Sequence, residues 1–386
     1  MSPHSDDEFL EQALELARQG LGLASPNPCV GAVVTEPNGN VVGTGAYTYT
    51  GVKHAEVLAL EAAGAKAKGS TLYINLEPHA HQGRTPPCTD ALIAAGIRRV
   101  VASMPDPNPK VSGRGFDQLR AAGVQVEVGG LEEQARRLNE GFARYIRHGV
   151  PLVTLKSAMT LDGKIAPVST GDRRPAPQDH GSARAGLQTN ITGDAARAHV
   201  QDLRHEHDAI LVGIGTILAD DPLLTDRSRR PRRRPLLRVI LDSHSRLPLD
   251  SRLVQSATAA RETDVVVFST SVDGPKKSQL ERLGVRVEQF PCGENQRPDL
   301  CAVLRRLGEL EITSLMIEGG SKVNGAALAA GVVDKVFLYY APKVLGPDSI
   351  PFATGTDLQA GTLKRVQLHR FADEIAIEGY LRDPYE

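Results

Sequence analysis

The sequence predicts an α/β protein of two domains, on three observations. Short β-type runs alternate with amphipathic helical stretches along most of the chain. Its 386 residues exceed the roughly 100–200 of one ordinary domain. Pro151 follows Gly149 where a helical stretch gives way to a new β-type run, which divides the chain into units 1–149 and 150–386.

Ser5 and Glu8 form a capping box, and Leu10, Ala13, Leu14 and Ala17 recur at helical spacing behind it, so a helix opens the chain. Strands are expected at 29–34 and 41–47, joined by the hairpin signal Asn38-Gly39. A helix starts near His54 and runs to Gly64. Then come a strand at 71–76, a helix at 88–95, strands at 98–103 and 124–128, and one helix over 131–146. In the second unit strands are expected at 152–157, 209–212, 237–241, 265–269, 285–289, 314–318 and 335–341. Two stretches read as irregular, 167–187 and 227–235. The latter holds Arg227, Arg229, Arg230, Arg232, Arg233 and Arg234, which read as a solvated loop in preference to a polyanion site.

Composition narrows the function classes. Lys and Arg number 45 against 46 Asp and Glu, and the aromatics are 8 Tyr and 8 Phe with no Trp. There is no cation excess or stacking surface for nucleic acid. No apolar run approaches the ~20 residues of a membrane span, and Met1 to Leu10 carries no positively charged leader, so a cytoplasmic protein is expected. Four cysteines, Cys29, Cys88, Cys292 and Cys301, are too scattered for a disulfide framework. Cys29, in an apolar strand, reads as a buried thiol.

Two clusters carry chemistry. His54-Ala55-Glu56 sets an imidazole and a carboxylate at a helix start, and the loop from Glu77 to Cys88 adds His79, His81 and a thiol at another helix start. His54, His79 and Cys88 supply the three nitrogen and sulfur ligands of a catalytic zinc, with Glu56 left to move protons. The helix starts are expected to favour the Cys88 thiolate. His81 competes as third ligand. The pattern follows the zinc deaminases, in which a histidine and two cysteines hold the metal and a nearby glutamate is acid and base.

With Gly83-Arg84-Thr85-Pro86-Pro87-Cys88, Pro26-Asn27-Pro28-Cys29-Val30-Gly31 and Asp106-Pro107-Asn108-Pro109, this region resembles the deaminase half of the bifunctional riboflavin-biosynthesis deaminase–reductase family. From Pro151 the chain resembles the reductase half, through 155–166, Ile191-Thr192-Gly193, 208–213, 218–222, Glu318-Gly319-Gly320-Ser321 and 341–346. The resemblance implies a cytidine-deaminase-like three-layer domain followed by a dihydrofolate-reductase-like domain. It carries zinc ligation onto His54 and Cys88, onto His79 by position where the family has cysteine, and proton transfer onto Glu56. It makes His81 a substrate or loop residue.

For the reductase half it implies NADPH at Ala158, Asn190, Thr216, Asp220 and the turn Gly320, Ser321, Lys322, Val323, Asn324, Gly325 and Ala326. Arg204, Leu224, Arg227 and Glu318 match substrate-binding positions. The forked guanidinium groups of Arg204 and Arg227 suit phosphate oxygens, and Lys156 on the first strand is a further substrate candidate. Two departures stand out: Asn190 occupies a position where the family commonly has Trp, and residues are inserted between Gly171 and Thr189.

The expected activity is hydrolytic deamination of a diaminopyrimidine ribosyl phosphate, followed by NADPH-dependent reduction of the ribosyl group to ribityl. The partner is then a small phosphorylated pyrimidine, with no nucleic acid or membrane, and a homo-oligomer is compatible with the sequence. The runner-up is a reductase carrying a degenerate deaminase domain because of His79. A nucleic-acid-editing deaminase ranks below both.

Overall fold

The computed structural model describes residues 5–83, 85–167, 191–257, 263–291, 293, 296–355 and 361–386. Asn190, the insertion at 171–189 and Cys292 lie outside them.

The first layer is α1 (Asp6–Arg18), capped by the Ser5 hydroxyl, which accepts from the Glu8 amide. It is followed by β1 (Gly31–Thr35), β2 (Val41–Ala46), α2 (Ala55–Ala63), β3 (Thr71–Ile74), α3 (Cys88–Ala94), β4 (Arg99–Ala102), α4 (Arg114–Ala121) and β5 (Gln125–Val128). The strands form one sheet in the order β2-β1-β3-β4-β5, antiparallel around β1 and parallel from β3 onward. Alternation along the strands sends Ala32, Val34, Leu72 and Ile74 toward α2 and α3 on one face. Val33, Tyr73 and Val101 face α1 on the other. Three layers result.

Two expectations fail here. The single helix over 131–146 is two helices, α5 (Glu132–Leu138) and α6 (Glu140–His148). They break at Asn139, whose amide accepts from the Cys29 N–H at 2.8 Å and donates to the Cys29 carbonyl at 3.1 Å, a pairing that competes with helix continuation. The helix α4 was not anticipated, because its eight residues offer only Phe116 and Leu119 as large buried apolar side chains.

The second unit is a nine-stranded sheet. In spatial order it runs Val285–Gln289, Val265–Ser269, Leu237–Leu241, Ala209–Gly213, Ser314–Ile317, Leu152–Thr160, Lys335–Ala341, Glu374–Tyr380, Lys364–Phe371. The first seven are mutually parallel, and Glu374–Tyr380 pairs antiparallel with both its neighbours, Lys335–Ala341 and Lys364–Phe371. Apolar clusters cover both faces, as a parallel sheet requires. The closing hairpin was not foreseen. Its edge strand Lys364–Phe371 is largely exposed, so burial writes little pattern into it.

The arginine loop corrects the sequence reading most clearly. Arg232 donates to the carbonyls of Arg204, His205 and His207 at the end of the helix Asp194–Glu206, where carbonyls lack intrahelical partners. Arg233 donates to the Ser25 carbonyl at 2.6 Å and lies over the Tyr49 ring, 3.7 Å from its centroid. Arg234 reaches the carbonyls of Leu310 and Glu311 and the Asp208 carboxylate. Arg233, through Ser25 and Tyr49, and Arg234, which also donates to the Ser25 hydroxyl at 3.4 Å, fasten the two units together, while Arg232 braces the second unit alone and Arg227, Arg229 and Arg230 are exposed. Elsewhere along the junction Lys335 pairs with Glu140 at 2.6 Å and Glu378 at 2.9 Å.

Candidate active site

In β2, Gly43 and Gly45 let α2 lie directly on the sheet: a Cβ on either would sit 2.1 Å from a carbonyl oxygen of α2, at Ala59 and Ala55. That packing fixes the start of α2, where His54 is the N-cap residue and Glu56 lies in the first turn, 3% exposed. The loop after β3 is anchored by Glu77, which sequence reasoning passed over. Its buried carboxylate accepts the amides of Asp106 (3.0 Å), Gly113 (2.9 Å) and Gly115 (2.8 Å). The His79 carbonyl accepts from Thr89 N–H at 3.3 Å, tying His79 to the start of α3, whose first residue is the buried Cys88.

These elements bring His54, Glu56, His79 and Cys88 together, with one ligand atom from each within 4.8 Å of all the others. Cys88 Sγ lies 3.4 Å from His54 Nδ1, and the His54 and His79 rings are 4.5 Å apart between centroids. Glu56 Oε2 and both ring nitrogens of His79 are buried without a hydrogen-bond partner among the described residues. Orphaned polar atoms are costly in a protein interior, and here they converge with a thiol. Two imidazoles and one sulfur meet the needs of a catalytic zinc, with the carboxylate beside them. His81 is exposed and stands outside the cluster, its ring edge-on to His79 at 5.4 Å, which removes it as a competing ligand.

Burial dominates the electrostatics of the cluster. It raises the Glu56 carboxyl, against the opposing pull of His54. Burial, with the charges of His54 and His81, lowers His79 to about 4, leaving a neutral imidazole able to ligate. Burial and then Glu56 push the Cys88 thiol up, against the pull expected of its helix start. A divalent cation reverses that penalty by supplying the missing positive charge. Burial also pushes the Cys29 thiol to about 12, as suits an inert core cysteine. The cluster opens on a cleft of about 270 Å³ lined also by Asn27, Tyr47 and Asn108, with Asn27 donating to the Tyr47 hydroxyl at 2.6 Å.

A second constellation lies at the carboxyl ends of the parallel strands of the larger sheet. Lys156, on Leu152–Thr160, projects beside the Tyr339 ring, 5.7 Å from its centroid. Glu318 follows Ser314–Ile317, and Arg204 meets it with both edges, Nε to Oε1 at 2.9 Å and Nη2 to Oε2 at 2.7 Å. Arg204 also donates to the Thr225 carbonyl at 2.9 Å. The fork expected for phosphate is thus engaged by a carboxylate. Burial works to raise Glu318, but the charges of Arg204 and Lys156 hold its carboxyl at about 2.

Other expected residues divide. Thr216 stands beside the Gly319-Gly320 turn, its Oγ1 3.8 Å from where a Gly320 Cβ would be, and the Gly213 amide donates to the Gly319 carbonyl at 3.2 Å. Gly319 has φ +102°, which glycine adopts without strain. Ser321 opens the helix Ser321–Ala329, Lys322 on it is exposed, and Val323 and Ala326 are half-buried. Asn324 and Gly325 instead turn onto the chain at 352–354: Asn324 donates to the Phe352 carbonyl, and a Gly325 Cβ would meet the Thr354 carbonyl oxygen at 2.0 Å. Leu224 is 4% exposed and packs in the core. The Arg227 side chain is exposed, with its amide bound to Gln201. Ala158 pairs in register with Tyr339, and Asp220 ends the helix Ile214–Asp220.

Comparison with known proteins covers both constellations. The family model of the RibD C-terminal domain matches residues 151–377, and that of the cytidine and deoxycytidylate deaminase zinc-binding region matches residues 3–104. A riboflavin biosynthesis protein RibD of Actinobacillus pleuropneumoniae is 44% identical over 89% of this chain and 85% of its own. The Escherichia coli K12 protein of the same name is 39% identical over 89% of each. Acinetobacter baumannii RibD superposes with a TM-score of 0.80 at 34% identity, covering 97% of this chain and 98% of that one. A Thermotoga maritima diaminohydroxyphosphoribosylaminopyrimidine deaminase/5-amino-6-(5-phosphoribosylamino)uracil reductase gives 0.79 at 35% identity with the same coverage.

Proposed function

The chain belongs to the RibD family of riboflavin-biosynthesis proteins, and from that premise we propose which of its residues perform the two reactions. It is a bifunctional enzyme: a zinc-dependent deaminase acting on a diaminopyrimidine ribosyl phosphate, and an NADPH-dependent reductase that converts the ribosyl group to ribityl. The deaminase unit spans 1–149 and the reductase unit 150–386.

His54, His79 and Cys88 hold the zinc. The observation that carries this is their convergence with Glu56 around buried polar atoms that have no hydrogen-bond partner among the described residues. Zinc supplies activation of water at neutral pH. Glu56, buried with a raised pKa, takes a proton at its carboxylate and returns it to the departing amine. Asn27, Tyr47 and Asn108 wall the cleft around the pyrimidine. In the second unit, Glu318 and Lys156 face the substrate, and Arg204 sets the orientation of Glu318 through its double hydrogen bond. NADPH, the hydride source, lies along Ala158, Thr216, Asp220 and the turn from Gly320 to Val323.

The substrate is a small phosphorylated pyrimidine, and the protein works in the cytoplasm. Among the described residues no helix is long and apolar enough to cross a membrane, and Cys29, Cys88 and Cys301 are free. The test is ammonia release by zinc-replete protein with NADPH omitted. Release is expected. No release, with NADPH still consumed on the deaminated intermediate, overturns the assignment of His79 as a working ligand.

A further inference from the structure

The zinc reading leaves one neighbour of the cluster without a role. Thr85 stands three residues before Cys88 in the loop that also carries His79. Its Oγ1 lies 3.2 Å from His54 Nε2, while the other ring nitrogen, Nδ1, faces Cys88 Sγ at 3.4 Å. The backbone at Thr85 and Pro86 borders the His79 ring, and the Thr85 carbonyl accepts the Gly83 amide at 3.1 Å, which closes the loop on itself. Thr85 therefore touches one prospective ligand with its side chain and borders a second with its backbone.

From this geometry, and resting on the assignment of His54, His79 and Cys88 as zinc ligands, we infer that Thr85 is a positioning residue that fixes the tautomer and ring orientation of His54 for metal binding. A neutral imidazole carries one proton. When Nε2–H donates to the Thr85 hydroxyl oxygen, Nδ1 is left with its lone pair directed toward Cys88 and the centre of the cluster. Without that acceptor the ring can place the proton on Nδ1, or rotate, and either change removes a donor. Partners of this kind behind a metal-bound histidine are worth about 10- to 100-fold in metal affinity. The loop gives the arrangement a further consequence: Thr85 and Cys88 lie on one short segment, so the thiol and the group that orients the facing imidazole arrive together.

The experiment is zinc competition against a chelating dye, with full-length wild type, Thr85→Val, Thr85→Ala and Thr85→Ser. NADPH oxidation on the deaminated intermediate reports that each variant is folded. Thr85→Val and Thr85→Ala are expected to bind zinc about 10- to 100-fold more weakly, and Thr85→Ser to stay close to wild type because it keeps the hydroxyl. Ammonia release by Thr85→Val should fall at limiting zinc and recover as zinc is raised. Wild-type affinity in Thr85→Val or Thr85→Ala, or a loss in Thr85→Ser equal to theirs, overturns the inference while leaving the ligands in place. A wild-type protein that holds no zinc, or a Cys88→Ala variant that holds it as tightly, overturns the ligand assignment itself and the role of Thr85 with it.

Discussion

The two constellations treat their charged groups in opposite ways. Around Glu56 and His79 the protein buries polar atoms that have no hydrogen-bond partner among the described residues. Around Glu318 it satisfies a buried carboxylate with a guanidinium fork at 2.7 and 2.9 Å and adds a lysine nearby. Burial raises the acid in the first case and is overcome by cations in the second. One site is electrostatically unfinished until a cation arrives; the other is complete in the protein alone. Loss of one group should therefore show as lost chemistry at the first site and as lost stability as well at the second.

The largest expected effect tests the independence of the two sites. Glu56→Gln should lower ammonia release by about 10²- to 10⁴-fold, the usual worth of a general acid–base group. Zinc content and NADPH oxidation on supplied deaminated intermediate should stay as in wild type. If both activities fall in a folded, zinc-loaded variant, the contrast breaks.

Glu318→Gln removes one member of a buried pair and leaves Arg204 uncompensated, at about 3–5 kcal/mol of stability. The reductase unit should melt earlier and lose activity, with ammonia release retained. The wild-type pair also predicts a pH signature. Glu318 is held at about 2, below its ordinary value near 4.5, so it contributes stability that is present above that ordinary value. That contribution is lost as pH falls from about 4.5 toward about 2. Denaturant unfolding followed through this window should be flatter in Glu318→Gln. An unchanged slope would mean that the pair does not set the acid limb.

The smallest effect lies at the junction. Ser25 donates to Asp208 at 2.7 Å, and Asp208 also accepts Thr313 N–H at 2.8 Å. Ser25→Ala should cost about 1 kcal/mol and leave both activities intact. A marked fall in either activity would show that docking of the units shapes a site.

Much of this was legible in the sequence because burial and turn chemistry write themselves into it. The strands Leu237–Leu241, Val265–Ser269, Val285–Gln289 and Lys335–Ala341 carry continuous or alternating apolar residues and stand where expected. The convergence of His54, Glu56, His79 and Cys88 was legible because the residue types are scarce and all but His79 sit at helix starts. What escaped depends on partners distant in sequence. Asn139 breaks a helix to hold Cys29, 110 residues away. The paired hydrogen bonds from Arg204 to Glu318 span 114 residues, and nothing local distinguishes an arginine meant for a carboxylate from one meant for a phosphate. Leu224 matched a substrate-binding position, and its side chain packs in the core, a placement that no local signal announced.

The loop of arginines has one more consequence, for how freely the sequence around it can drift. Arg232, Arg233 and Arg234 end largely on main-chain carbonyls, those of Arg204, His205, His207, Ser25, Leu310 and Glu311. A carbonyl is present whatever side chain its residue bears. Substitutions at most of those acceptor positions leave the acceptors in place, whereas replacing one arginine removes several donors at once. The tolerance of the loop and its surroundings to mutation is therefore lopsided, with the constraint gathered into three consecutive residues, of which Arg233 and Arg234 reach across the junction.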